Sequence, residues 1–135
     1  MPSLAEALRN KASDAVVLAL LAAHPEGAKE KGGDGRLPLH FAAWNKASDA
    51  VVQALLAAHP EGAKEKGRNG RLPLHDAAEN KASDAVALAL LAAHPEGVKE
   101  KGGGAGVSPL QLALENNASD AVVLALLAAH PEGAK

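Results

Sequence analysis

The chain has no cysteine, tyrosine, threonine or isoleucine, and only one phenylalanine, one tryptophan and one methionine in 135 residues. Absence of Cys excludes disulfides and thiolate-ligated metal, and carries no information about redox compartment. With aromatics so scarce, a hydrophobic fraction of 47% must be met by Ala, Leu and Val, so the core has to be shallow and layered. A formal net charge of −2 supplies no electrostatic drive toward nucleic acid or an anionic membrane. The longest apolar run, Ala15 to Ala23, is too short to span a bilayer. Met1 to Asn10 lack a basic segment followed by an apolar core, so no secretory signal is expected, and a natural chain of this kind is expected in the cytoplasm.

What the chain does have is repetition. Leu37-Pro38-Leu39-His40-Phe41-Ala42-Ala43-Trp44-Asn45 returns as Leu72-Pro73-Leu74-His75-Asp76-Ala77-Ala78-Glu79-Asn80. A weaker copy runs from Ser108 to Asn116, and a degenerate one opens the chain at Ser3 to Asn10, with spacings of 35, 35 and 36 residues. A fixed period in this range marks a stacked-repeat protein. Pro fits the first position of a helix, where its missing N–H has no partner anyway. Leu39, Ala42 and Ala43 form an apolar stripe at helical spacing. A second helix follows in each unit. Ser13 and its equivalents are natural N-caps, with Asp14 placing negative charge at the positive helix end. That helix stops at His24-Pro25, because Pro disfavours a helical residue before it. A polar, Gly-rich loop should then link neighbouring units.

The helix-opening pattern resembles that of the ankyrin repeat, whose Thr-Pro-Leu-His-x-Ala-Ala is matched here by Leu-Pro-Leu-His-x-Ala-Ala, and whose second helix is matched by Val-Val-x-x-Leu-Leu. The resemblance covers the chain in four units. It departs in three ways: Leu37 and Leu72 replace the capping Thr, the usual Gly between the helices is absent, and the second helix ends in His-Pro-Glu-Gly. It implies an all-α fold, an α-solenoid of four helix-turn-helix repeats at about 1–35, 36–70, 71–106 and 107–135, in a single domain over 1–135. In the second unit the helices are expected at about Pro38 to Asn45 and Ser48 to His59, with no extended sheet. The approach loop Gly102 to Gly106 is one residue longer than its counterparts and is expected to be the most mobile connection.

Ankyrin proteins bind partner proteins through a concave surface of loop tips and first helices. The resemblance therefore places protein-binding residues at Arg36, Arg68, Asn69 and Arg71 in loops, and at Phe41, Trp44, Asp76, Glu79, Leu112 and Glu115 on first helices. Between the second and third units the large changes are Phe41 to Asp76 and Trp44 to Glu79, one helical turn apart and hence on one face. Because carboxylates stand at the matching positions, Phe41 and Trp44 are expected to be exposed. Near-identical frameworks with such local variation, and four amino-acid types missing, point to an engineered or consensus scaffold; recent duplication in a natural gene is the competing origin. A structural scaffold with no dedicated partner is the alternative function.

No catalytic, metal or cofactor residues are assigned. His24, His59, His94 and His130 recur once per unit, and stacked helices lie too far apart for that ladder to share one metal ion. His40 and His75 match the family's structural His, which the resemblance implies bonds between neighbouring turns. The Gly-rich loops lack the Gly-Lys-Ser/Thr ending of a phosphate cradle. Glu6, Asp76, Glu79 and Glu115 have no evident nucleophile beside them and read as a solvated or partner-facing column. A second copy of the chain is a further candidate partner, through the column Leu18, Leu88 and Leu124 or through the last helix, which is as apolar as the inner ones.

Overall fold

The computed structural model describes residues 3–32, 35–67, 70–80, 82–102 and 106–129. The first helix of each unit is short: α1 (Leu4–Arg9), α3 (Pro38–Trp44), α5 (Pro73–Glu79) and α7 (Pro109–Glu115). The second is longer: α2 (Asp14–Ala23), α4 (Asp49–Ala58), α6 (Asp84–Ala93) and α8 (Asp120–Ala129). The fold is all-α, as expected, and the two helices of the second unit fall within a residue of their anticipated ends.

Capping chemistry explains these starts. Ser13, Ser48, Ser83 and Ser119 each accept the backbone N–H three residues on, at 3.2–3.4 Å. In α1 and α7 the cap is reciprocal: Ser108 N–H donates to Gln111 Oε1 at 2.9 Å while Gln111 N–H donates to Ser108 Oγ at 3.3 Å. Leu37 and Leu72 have no oxygen to offer. There the histidine carries half of the box, with Nδ1 of His40 and of His75 accepting the Leu37 and Leu72 N–H at 3.0 Å. The orphan N–H of His40 falls back on Leu37 O at 3.0 Å. The missing Gly between helices is met by Lys11, Lys46 and Asn117, which take the left-handed conformation at φ 56–58°.

One expectation needs correction. The segment after α2, α4 and α6 is not simply a polar loop: Pro25–Lys29, Pro60–Lys64 and Pro95–Lys99 each form a 3-10 turn. Pro starts the turn, Gly27 N–H bonds to His24 O at 2.9 Å, and the Gly-Ala or Gly-Val pair inside it is buried. Room beside the Gly is tight, since a Cβ on Gly97 would lie 3.0 Å from Leu72 Cδ1. Beyond these turns the chain doubles back through Gly35, Gly70 and Gly106, all at positive φ. Among the described residues the only β pairing is the single bridge Gly102–Val107. Gly103 to Ala105, the centre of the loop expected to be most mobile, lie outside the described residues.

The helices stack in two layers. α1, α3, α5 and α7 pack in series, α2, α4, α6 and α8 pack in series behind them, and each first helix packs on the second helix of its own unit. The core runs continuously between the layers, built of Leu, Val and Ala with Phe41 as its one aromatic. The small Ala42, Ala43, Ala77 and Ala78, all buried, let the first helices approach closely. Side chains stitch the units together: Lys31 to Glu65 at 2.8 Å, Lys66 to Glu100 at 3.0 Å, and Asn45 Nδ2 to Leu8 O at 3.3 Å.

Candidate partner-binding face

Among the described residues, those assigned from sequence to binding lie on the first-helix layer and its loops. Each inner unit begins with an arginine, five residues ahead of the position where Phe41 and Asp76 differ. Both of those side chains are buried, each only 5% exposed, which corrects the expected exposure of Phe41. The inference that a position able to hold Asp must face water fails for a local reason: the unit's own arginine supplies a partner in either case. The Arg36 guanidinium lies 4.7 Å above the Phe41 ring, and Arg9 from the preceding unit lies at 5.7 Å. In the next unit Arg71 Nε is 3.6 Å from Asp76 Oδ1, and Arg71 also pairs with Glu79. In the fourth unit the same two positions hold Val107 and Leu112, so the cation and its partner are exchanged together for an apolar pair, and Leu112 is buried as well. The spacing of five was visible in the sequence, but its meaning depended on how the loop folds back over the helix.

The remaining assigned residues divide by exposure. Trp44 is 42% exposed and Glu115 is exposed; Arg36, Arg71 and Glu79 are half-buried. Arg68 and Asn69 lie outside the described residues. Packing of α1 on α3 and of α3 on α5 sets the Arg9–Arg36–Phe41 group beside the Arg71–Asp76–Glu79 group, with Trp44 on the helix between. A cationic aromatic cluster thus adjoins one in which the acids outnumber the base.

Burial controls the charge states here. Loss of hydration pushes the Asp76 carboxyl up to about 7, against the pull of Arg71 and Arg36. His40 is lowered to about 4, first by burial, although Glu65 O and Arg71 O, at 3.0 and 3.2 Å from Nε2, favour its proton. Since Nδ1 accepts a backbone N–H, the proton of the neutral ring sits on Nε2 and is donated to the loop. His75 is built alike, with Nε2 at 3.0 Å from Glu100 O and its pKa also lowered mainly by burial. These histidines tie a first helix to the loop behind it. They are structural, as the resemblance implied.

Among the described residues no three of His, Asp and Glu are close enough to hold a metal ion, and no helix is long and apolar enough to cross a membrane. His24 instead faces Glu30 at 3.6 Å on the surface, and His130 lies outside the described residues. On the second-helix layer Leu88 and Leu124 are exposed, Leu18 is half-buried, and Gln53 is exposed in their register.

Comparison with curated proteins finds no match. A family model described as ankyrin repeats, in three copies, matches residues 4–99. With most of its length matched, α3 and α5 opened by Leu-Pro-Leu-His and His40 and His75 bonded to the following loops, the chain belongs to the ankyrin-repeat family.

Proposed function

We propose that the chain binds a partner protein through its first-helix and loop face, with Trp44 as the principal anchor and Arg36, Arg71, Glu79 and Glu115 as further contacts along the same layer. Ankyrin repeats generally mediate protein–protein interaction, and the family is typically a non-enzymatic scaffold. The observation that carries the reading is Trp44 itself, the one tryptophan of the chain, 42% exposed on α3, which packs between α1 with Arg9 and α5 with Glu79. A large amphipathic ring with a charged surround offers burial in the centre and orientation at the edges. Phe41, Asp76 and Leu112 support this face from beneath rather than contact the partner, because they are buried. Arg68 and Asn69, which the resemblance assigns to the same binding surface, lie outside the described residues. The near-identity of the units supports an engineered or consensus origin for the framework.

Affinity capture with the wild-type chain and with Trp44→Ala tests the anchor. A protein retained by the first and lost from the second, with the melting temperature unchanged, is the expected result; Trp44→Ala should weaken binding by roughly 2 kcal/mol or more. Equal retention by both chains removes Trp44 as an anchor. No retention by either leaves the alternative, a scaffold without a dedicated partner.

A further inference from the structure

The interfaces between units reuse one pair of surfaces. Between the first and second units, Leu8, Ala12, Asp14 and Val17 on one side meet Asn45, Ala47, Ser48 and Val51 on the other across a groove of about 300 Å³. Between the third and fourth, Ala78, Ala82, Asp84 and Ala87 meet Ala118, Ser119 and Val122 across one of about 250 Å³. A polar rung marks the register at the second and third interfaces. Ser83 Oγ donates to Asp49 Oδ1 at 2.5 Å, and Ser119 Oγ donates to Asp84 Oδ1 at 2.7 Å. At these interfaces the covering valines Val51, Val86 and Val122 are all buried.

Both of these surfaces recur, exposed, at the two ends of the described stack. Val16, equivalent to those three buried valines, is 45% exposed. At the other end Leu114, equivalent to the buried Leu8, Ala43 and Ala78, is 58% exposed, and Leu124 is 64% exposed. Leu114 and Leu124 line a depression of about 320 Å³ with Ala118, Asp120 and Val123. That lining repeats the covered face of the first unit position by position: Leu114 for Leu8, Ala118 for Ala12, Asp120 for Asp14, Val123 for Val17. The segment that covers the Leu8 face is Asn45-Lys46-Ala47-Ser48-Asp49-Ala50-Val51-Val52, and Asn10 to Val17 has the identical sequence. The chain therefore already contains this pair of surfaces docked to each other.

We propose that a second copy of the chain docks head to tail, its Asn10 to Val17 segment covering the Leu114–Leu124 face of the first. Val16 enters the terminal depression as Val51 enters the first internal groove, and Ser13 continues the serine–aspartate rungs by donating to Asp120. The two surfaces differ, so the contact is heterologous and does not close: each added copy presents a fresh tail, and assembly lengthens with concentration.

Sedimentation velocity from micromolar to millimolar concentration reads the assembly directly. The wild-type chain should rise from its 13.6 kDa monomer to dimers and longer species. Val16→Glu and Leu114→Glu should each stay monomeric alone, while an equimolar mixture should form a dimer and stop there, since one intact head meets one intact tail. Circular dichroism should show both variants as helical as the wild type; Leu124→Glu replaces Leu114→Glu if that variant loses helicity. Three results overturn the proposal: a wild type that is monomeric throughout, a Val16→Glu variant that still associates alone, as a face-to-face contact would, or a mixture that stays monomeric.

Discussion

At residues 41 and 76 the same place in the repeat holds an aromatic ring and a carboxyl group, each set against the arginine that opens its unit. Phe41 is therefore core, and Phe41→Ala should cost about 3–5 kcal/mol from lost burial, a cavity and the lost guanidinium contacts. Trp44→Ala, one turn away, should cost under about 1 kcal/mol, because much of that ring already meets water. Urea midpoints of the two variants check the contrast; comparable losses would put Trp44 in the core too. Asp76 makes a pH prediction. Its pKa is raised to about 7 in the folded chain from 3.8, so the folded state holds the extra proton between those values. Its contribution to stability is fully present below the lower value and is lost as pH rises toward 7. His40, lowered to about 4 from 6.5, has the opposite sign: its contribution is full above 6.5 and is lost as pH falls toward 4. In the wild type the two trends oppose each other over their common range. Asp76→Asn removes one of them, so the variant should gain on the wild type as pH rises from about 4 to 7 and show a steeper acid loss. Chemical denaturation at several pH values in that interval measures both, and parallel curves would mean that Asp76 does not titrate there.

At the scale of the helix, Ser83 does two jobs where its counterpart Ser13 does one. Ser83 Oγ accepts the Val86 N–H at 3.2 Å and donates to Asp49 in the previous unit. Ser13 accepts the Val16 N–H at 3.4 Å, with no earlier unit among the described residues to receive its hydroxyl. Ser13→Ala should thus cost about 0.5–1 kcal/mol as a lost cap, and Ser83→Ala about 1–2 kcal/mol as a cap and a charge-assisted bond. Equal losses in thermal unfolding would show that the inter-unit rung adds nothing. The first helices use a different device. Where Leu replaces a hydroxyl residue at the cap, the histidine three residues on accepts the orphan N–H, and the same ring reaches the next loop. One side chain both starts the helix and docks it.

For the whole molecule, stability is the sum of what each unit buries against its neighbours. Among the described residues α4 and α6 have a helix on either side within their layer, whereas α2 and α8 have one. Amide exchange should accordingly be slowest in α4 and α6 and faster in α2 and α8, in dilute solution where end-to-end docking is absent. Uniform protection along the stack would indicate a single cooperative block instead. The same one-sided burial leaves the terminal valine and leucines exposed.

The period, the helix-opening Pro-Leu-His and the serine caps were legible in the sequence because they act within a few residues of one another, and local sterics and capping decide them. They sufficed to place both helices of each unit and to assign the histidines. The exposed Trp44 was legible as well, since its counterpart is a charged Glu79 that stays only half-buried. The burial of Phe41, Asp76 and Leu112 was not. It depends on where the loop lays Arg36, Arg71 and Val107, a placement set by the 3-10 turn and the Gly reversal between units rather than by the helix itself. A helical period tells which residues share a face. Whether that face meets water or a guanidinium folded back over it is decided by contacts between segments, and those only the tertiary structure fixes.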